Sequence, residues 1–267
     1  MHKILFILAQ LFYLIAFVDS LLGNEHKPSW LERVRLPSIW LGAGVHLLGL
    51  VVLGLQSQAF PVHTPGASIA SLGLLVVLGH LMVRRGPRME SLGTFFLPLA
   101  VVLLVVAQVL PTSVAGTVNT GLGMIWFPIH ASMVFLGLMA FTLSFGVSFY
   151  YLVVRSRLKR KQLEGLERLP SLVGLDRLNV RLMLFGFVSL ALGIGSGGVW
   201  ASSVKGATLD ITGWVTIAAW IWYGIALQFR LVAGWRGRLA ALASVVGFVG
   251  LVGALVGVNV LFDGWHA

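Results

Sequence analysis

Eight apolar runs, each close to the roughly 20 residues an α-helix needs to cross a hydrocarbon core, leave this chain few ways to fold. They lie near residues 4–22, 37–55, 67–83, 93–110, 126–154, 178–200, 211–230 and 238–262. Proline punctuates the segments between them, at Pro28, Pro37, Pro61, Pro65, Pro87, Pro111 and Pro170. The pattern predicts an all-α protein: a polytopic membrane helix bundle of eight transmembrane helices, a single integral membrane domain over 1–267 whose surroundings are the lipid bilayer. Composition agrees, because 58% of the 267 residues are hydrophobic and only 10% are charged. A soluble chain carries about a quarter charged residues.

The few charges orient the bundle. Loop one holds Lys27, Arg33 and Arg35, loop three Arg84, Arg85 and Arg88, and loop seven Arg230, Arg236 and Arg238. Loop five, counted through Arg181, adds Arg155, Arg157, Lys159, Arg160, Lys161, Arg168 and Arg177. Of the 19 basic residues, only Lys3 and Lys205 fall on the other side. The positive-inside rule then makes the odd-numbered loops cytoplasmic and puts both termini outside, on the periplasmic or extracellular side. Lys3 followed by the apolar stretch from Ile4 to Val18 has the look of a signal peptide. It lacks a small-x-small cleavage pattern and carries heavier positive charge after it than before, so it reads as an uncleaved first span.

Two function classes drop out. A net charge of +10 would suggest nucleic acid in a soluble protein, but here the charge sits in short clusters between apolar runs, where it sets topology. No nucleic-acid partner is expected. The absence of cysteine removes disulfides, thiolate metal sites, a cysteine nucleophile and covalent CxxCH haem attachment. Any cofactor must be held by His, Met, carboxylate or backbone groups.

Depth sorts the seven histidines. At 1.5 Å per helical residue, His130 lies about 37 Å from the inner anchor Arg155, and His266 about 42 Å from the inner anchor Arg238. Both distances exceed the roughly 30 Å core, which puts the two side chains at the outer interface. His63 belongs to outer loop two, and His46 lies about 15 Å above the inner boundary, near the midplane. His2, His26 and His80 read as terminal or loop residues. Two facing imidazoles suit the axial positions of a haem iron. Trp126, Trp200 and Trp214 gather in the same outer region and offer flat surfaces to a porphyrin, and Lys205, the one basic residue of the outer loops, suits a propionate.

Plainer readings stand beside these. Tryptophan collects at membrane interfaces generally, and a terminal histidine such as His266 can sit there unengaged. An ionisable group at the midplane is by default a functional candidate, so His46 is taken as a second haem station, although a neutral imidazole also serves as an interhelical hydrogen-bond donor. Asp19 pairs with Arg33 or Arg35; Gln10, Gln108 and Gln228 either join helices or line a polar path. Gly193-Ile-Gly-Ser-Gly197 and Gly253-Ala-Leu-Val-Gly257 place small residues four apart, which lets helices touch closely. The run from Arg155 to Lys161 holds a helix end at the anionic inner leaflet, or docks a cytoplasmic partner.

From Trp126 onward, several short pieces occur in a telling order. They are Ile129-His130-Ala-Ser-Met133, Leu169-Pro-Ser-Leu172, Leu175-Asp-Arg-Leu178, Gly186-Phe187 and Gly198-Val-Trp-Ala201. Then follow Trp220-Ile-Trp-Tyr-Gly224, Gly234-Trp-Arg-Gly-Arg238 and Gly257-Val-Asn259. In this the chain resembles the haem-handling membrane proteins of the cytochrome c assembly family, in particular the HemX-like branch related to CcsA. The resemblance implies two external histidines, matching His130 and His266, that hold haem at the outer face of a bacterial inner (cytoplasmic) membrane. It implies haem b as the bound group, and other cytochrome c assembly or haem-biosynthesis proteins as partners. CcsA-like members carry a histidine late in the span before the Gly-Trp-Arg-Gly turn, where this chain has Gln228. They also carry a tryptophan-rich outer segment ending in Trp-Asp, where loop six here reads Ser202-Ser-Val-Lys-Gly-Ala-Thr-Leu-Asp210.

The expectation is therefore a non-enzymatic protein that binds and moves b-type haem, His130 and His266 ligating iron. The alternatives are a membrane regulator or scaffold of tetrapyrrole biosynthesis, a component of a cytochrome c assembly complex with ligase activity, and an unrelated small-solute transporter.

Overall fold

The computed structural model describes residues 1–21, 29–57, 60, 62, 64–86, 88–110, 123–162, 169–203 and 211–261. Within the helices, side chains are described except at 29–33, 123–125, 200, 203 and 256–261. The described residues form eight α-helices and no strand. In order these are α1 (His2–Leu21), α2 (Ser29–Ser57), α3 (Pro65–Val83), α4 (Gly93–Val109), α5 (Gly123–Lys159), α6 (Leu172–Ser203), α7 (Ile211–Val232) and α8 (Arg238–Leu261). All eight contain a stretch long and apolar enough to cross a membrane.

The expected spans correspond to these helices one for one, with shifted ends. Pro37 does not open the second helix but lies inside α2, which begins eight residues earlier at Ser29. Proline removes only its own N–H bond and bends the helix, so a bundle can absorb it where water or neighbours satisfy the freed carbonyl. Pro98 and Pro128 are likewise inside α4 and α5. At 37 residues α5 is about 55 Å long, so it carries the basic run to Lys159 out of the apolar zone as continuous helix.

The chain packs as two compact units, Met1–Val118 and Asn119–Ala267. In the first, α1 packs on α2 and α4, and α3 on α4 and α2. The α1–α2 contact works through two glycines seven residues apart. A Cβ on Gly42 would lie 2.7 Å from Tyr13 Cε1, and one on Gly49 would lie 2.7 Å from Phe6 Cε1. The rings of Phe6 and Tyr13 thus occupy the space two missing methyl groups leave. At one end of this unit charges pair across helices: Arg35 Nη2 meets Glu90 Oε2 at 2.6 Å, and its Nε lies 3.4 Å from Asp19 Oδ2. Asp19 therefore pairs with Arg35.

The second unit is built on an antiparallel seam between α5 and α6. A Cβ on Gly186 would lie 2.6 Å from Phe141 Cε1, one on Gly193 2.8 Å from Val134 Cγ2, and one on Gly197 2.7 Å from His130 Nδ1. Gly137, on α5, faces Leu190 in the same register. Each step along α5 matches a step of about one turn back along α6. Gly193 and Gly197 do serve close packing, whereas Gly253 has nothing near it. Aromatic stacking ties in the remaining helices: Phe141 lies on Tyr223 with ring centres 3.6 Å apart, and Phe145 on Phe248 at 4.7 Å.

Candidate functional site

His130 sits in the second turn of α5, on the face that meets α6. Its Nδ1 donates to the carbonyl of Gly193 at 2.7 Å. A peptide carbonyl only accepts, so in the neutral ring this bond fixes the proton on Nδ1 and leaves the lone pair on Nε2. The ring's other constraint is Gly197, one turn further along α6, where any Cβ would overlap Nδ1 and Cε1 at 2.7 and 2.8 Å. One glycine supplies the carbonyl and the other the space. Together they orient the imidazole as metal-ligating histidines are oriented, through one nitrogen committed to a backbone acceptor.

The other expected site residues divide into three groups. Trp126 is one turn before His130 on α5 and partly buried. Trp214, in the first turn of α7, is 62% exposed. His266 and Lys205 lie outside the described residues, as do His63 and the side chain of Trp200.

His46 is elsewhere in character. It lies on α2 between Gly42 and Gly49 and is fully buried. Its Nδ1 is 3.2 Å from the Tyr13 hydroxyl, and Phe6 stands edge-on to the ring with centres 5.6 Å apart. The carbonyl of Ala70 faces the ring from α3 without reaching hydrogen-bonding geometry, and Nε2 has no protein partner. Two further expectations change here. His80 is no loop residue: it lies in the last turn of α3 and is 1% exposed. Neither described glutamine of the later spans joins helices, since Gln108 bonds back to Leu104 O and Gln228 is exposed.

Residues that sequence reasoning passed over organise the far end of the second unit. Arg230 donates through both terminal nitrogens to Asp176, at 2.9 and 2.7 Å, and Gly237 N–H donates to the same carboxylate at 2.9 Å. Gly237 has φ +64°, and a Cβ there would meet Tyr151 Oη at 2.5 Å, so only glycine fits the turn. Asp176 and Gly237 come from two of the short pieces noted above, Leu175-Asp-Arg-Leu178 and Gly234-Trp-Arg-Gly-Arg238. Their order hinted at a relation, but nothing in it revealed that one bonds the other. Further in, Ser144, Asn179 and Ser244 form a buried knot between α5, α6 and α8, with Ser144 Oγ 2.5 Å and Ser244 Oγ 3.2 Å from Asn179 Oδ1. Tyr223 extends it to α7 by donating to Ser244 O at 3.4 Å.

Among the described residues no group of three or more His, Asp or Glu side chains converges as a bare metal ion would need. A porphyrin brings four nitrogens of its own and asks the protein for one or two axial ligands, and the His130 imidazole, held as above, fits that smaller demand.

Comparison with known proteins bears on this reading. The family model described as cytochrome C assembly protein matches residues 62–266. The cytochrome c biogenesis protein CcsA of Prochlorococcus marinus (strain MIT 9301) is 26% identical over 284 aligned positions, covering 96% of this chain and 91% of that protein. The protein of the same name from Synechococcus sp. (strain CC9605) is 39% identical over 95 positions, 35% of this chain and 31% of its own length. Its counterpart from Cyanophora paradoxa is 36% identical over 95 positions, 35% and 30% of the two chains. The family match takes in α3 to α8, with His130, its Gly193–Gly197 seat and the Asp176–Gly237 clamp, and covers more than half of the chain; on that ground the chain belongs to the cytochrome c assembly protein family.

Proposed function

We propose that this protein handles b-type haem as cargo in cytochrome c biogenesis, at the outer face of a bacterial cytoplasmic membrane, with His130 and His266 as the axial pair. One observation carries the reading: the Nδ1 of His130 is committed to Gly193 O and the ring is seated on Gly197, which fixes the tautomer and orientation of the imidazole. Trp126, Trp200 and Trp214 supply aromatic surface around the porphyrin, and Lys205 meets a propionate. His46 is a second station only when α1 and α3 part, because Phe6, Tyr13 and Gly73 close on it. The chain's own contribution is to hold the ligand, fix its tautomer and keep it at one depth. Haem supplies the iron.

Loop six lacks the tryptophan-rich segment of CcsA-like proteins, which favours a HemX-like carrier over a ligase. The test is haem loading of purified protein read by Soret absorbance. His130→Ala and His266→Ala are each expected to lower bound haem at least ten-fold. Gly197→Leu, which leaves every ligand in the chain but fills the seat, is expected to do nearly the same. Equal haem content and identical spectra in wild type and all three variants would remove the proposal.

A second reading, a scaffold for a tetrapyrrole-pathway enzyme, is favoured by the exposure of every residue from Arg155 to Gln162. Neutralising the five basic residues of that run should then release a bound partner. Haem content should stay unchanged.

A further inference from the structure

The inward face of α1 is polar at intervals along its whole length. It carries His2, Gln10, Tyr13, Asp19 and Ser20, interleaved with Phe6, Ala9 and Ala16. The helices around it add Gln56 and His46 from α2 and His80 from α3. His2 Nδ1 bonds Gln56 Oε1 at 2.8 Å, Tyr13 bonds His46 as described, and Ser20 Oγ and the His80 ring both close on Gly93 of α4, at 3.3 and 3.2 Å from where its Cβ would be. From His2 to Asp19 is 17 helical steps, about 25 Å, most of a roughly 30 Å hydrocarbon layer.

Along this face lie most of the buried side-chain polar atoms that lack a protein partner among the described residues. They include His2 Nε2, Gln10 Nε2, His46 Nε2 and His80 Nδ1, with Arg84 Nη1 at the end. An unsatisfied polar group in an apolar interior forfeits its hydration with nothing in return, and several on one helix face of a small bundle are hard to sustain. Water is the usual partner of buried polar groups that no side chain meets, each molecule bridging two or more groups. Intramembrane histidines in such a row are the hallmark of proton movement. The groups facing His46 are Tyr13 and Phe6 from α1 and Gly73 and the Ala70 carbonyl from α3; those facing His80 are Ser20 from α1, Gly93 and Phe96 from α4, and the charges of Arg35 and Arg84.

We propose that the first unit passes protons across the membrane along α1, with His46 and His80 as relay imidazoles and water filling the two-turn gaps between them. Each imidazole takes a proton on one nitrogen and releases the one it carried on the other, so only N–H and O–H bonds change and no electron moves. Tyr13 serves His46 because a hydroxyl both gives and accepts a hydrogen bond. Asp19, Arg35, Arg84 and Glu90 form the charged mouth at the far end. This activity does not depend on haem.

The test uses the full chain in phosphatidylcholine–phosphatidylglycerol vesicles holding a pH-sensitive dye, with a potassium gradient and valinomycin to drive protons inward. Wild type is expected to acidify the lumen at least five-fold faster than protein-free vesicles. His46→Phe should abolish the excess. Tyr13→Phe, which keeps its ring on Gly42 and loses one oxygen, should lower the excess at least two-fold, and Gln10→Leu should do likewise. Gly250→Ala, where nothing lies within 4 Å, should leave it unchanged. Wild-type flux no faster than protein-free vesicles overturns the proposal, as does full flux in folded Tyr13→Phe and Gln10→Leu. Soret measurements on the same preparations report the haem reading separately.

Discussion

The two units each hold a histidine against glycine-lined helices, His46 fully buried and His130 half-buried, and they secure it in opposite ways. His130 gives its Nδ1 proton to a peptide carbonyl, an acceptor that cannot reverse roles. His46 faces the hydroxyl of Tyr13, which can donate or accept, so its tautomer is free to switch. The polar interiors differ in the same sense. In the second unit Ser144, Asn179, Ser244 and Tyr223 bond one another, and the unpartnered buried atoms among the described residues are Ser148 Oγ and Trp220 Nε1. In the first they line a whole helix face. A satisfied network holds one geometry, whereas a partly satisfied one takes in water. The second unit is thus suited to presenting a ligand at fixed orientation, and the first to passing something small.

That contrast can be broken at several points. The largest effect is expected from Asp176→Ala, which strands a guanidinium only 11% exposed together with the Gly237 N–H. Breaking such a pair costs about 3 kcal/mol, and denaturant unfolding in micelles should show it. Gly193→Leu comes next, at about 2 kcal/mol, because the added side chain meets the backbone nitrogen of Val134 at 3.1 Å and cannot swing clear. A smaller change, about 1 kcal/mol, is expected of Tyr13→Phe, which removes one buried hydrogen bond. Nitrogen NMR of labelled histidine sharpens this last case: the His46 tautomer ratio should move while that of His130 stays on Nδ1–H. If both rings respond alike, the two units are not distinct in the sense described. Smallest is Gly253→Ala, in open space within α8, which should stabilise by about 0.5 kcal/mol through helix propensity alone.

The eight helices were legible because a bilayer forces long apolar runs, and length and hydropathy suffice to find them. The role of Gly193 and Gly197 in packing was legible too, from their spacing. Their partner was not. A Gly-x-x-x-Gly pattern tells that something approaches, and only the register of α5 against α6 tells that His130 does. Gly42 and Gly49, seven apart, gave no motif to notice until Phe6 and Tyr13, also seven apart, were seen to fill them. His80 was misread although the expected third span, 67–83, contained it and ends where α3 ends; hydropathy finds a span but does not tell which of its polar side chains turns inward. The Asp176–Arg230–Gly237 clamp joins residues up to 61 positions apart, and long-range pairing leaves no local trace. The topology argument that set His130 and His266 at one depth concerns His266, which is outside the described residues.

The α5–α6 seam also has a consequence in time. Its contacts run between neighbouring helices of a single hairpin, with His130 meeting Gly193 and Gly197 and Phe141 meeting Gly186. Contacts this local form early, and chains emerge from the ribosome N-terminus first. Both glycines that orient the His130 imidazole, Gly193 and Gly197, have been synthesised by Ser203, at the end of α6, before any of α7 or α8 exists. The imidazole seat therefore asks nothing of α7 or α8, and its two halves leave the ribosome ahead of both.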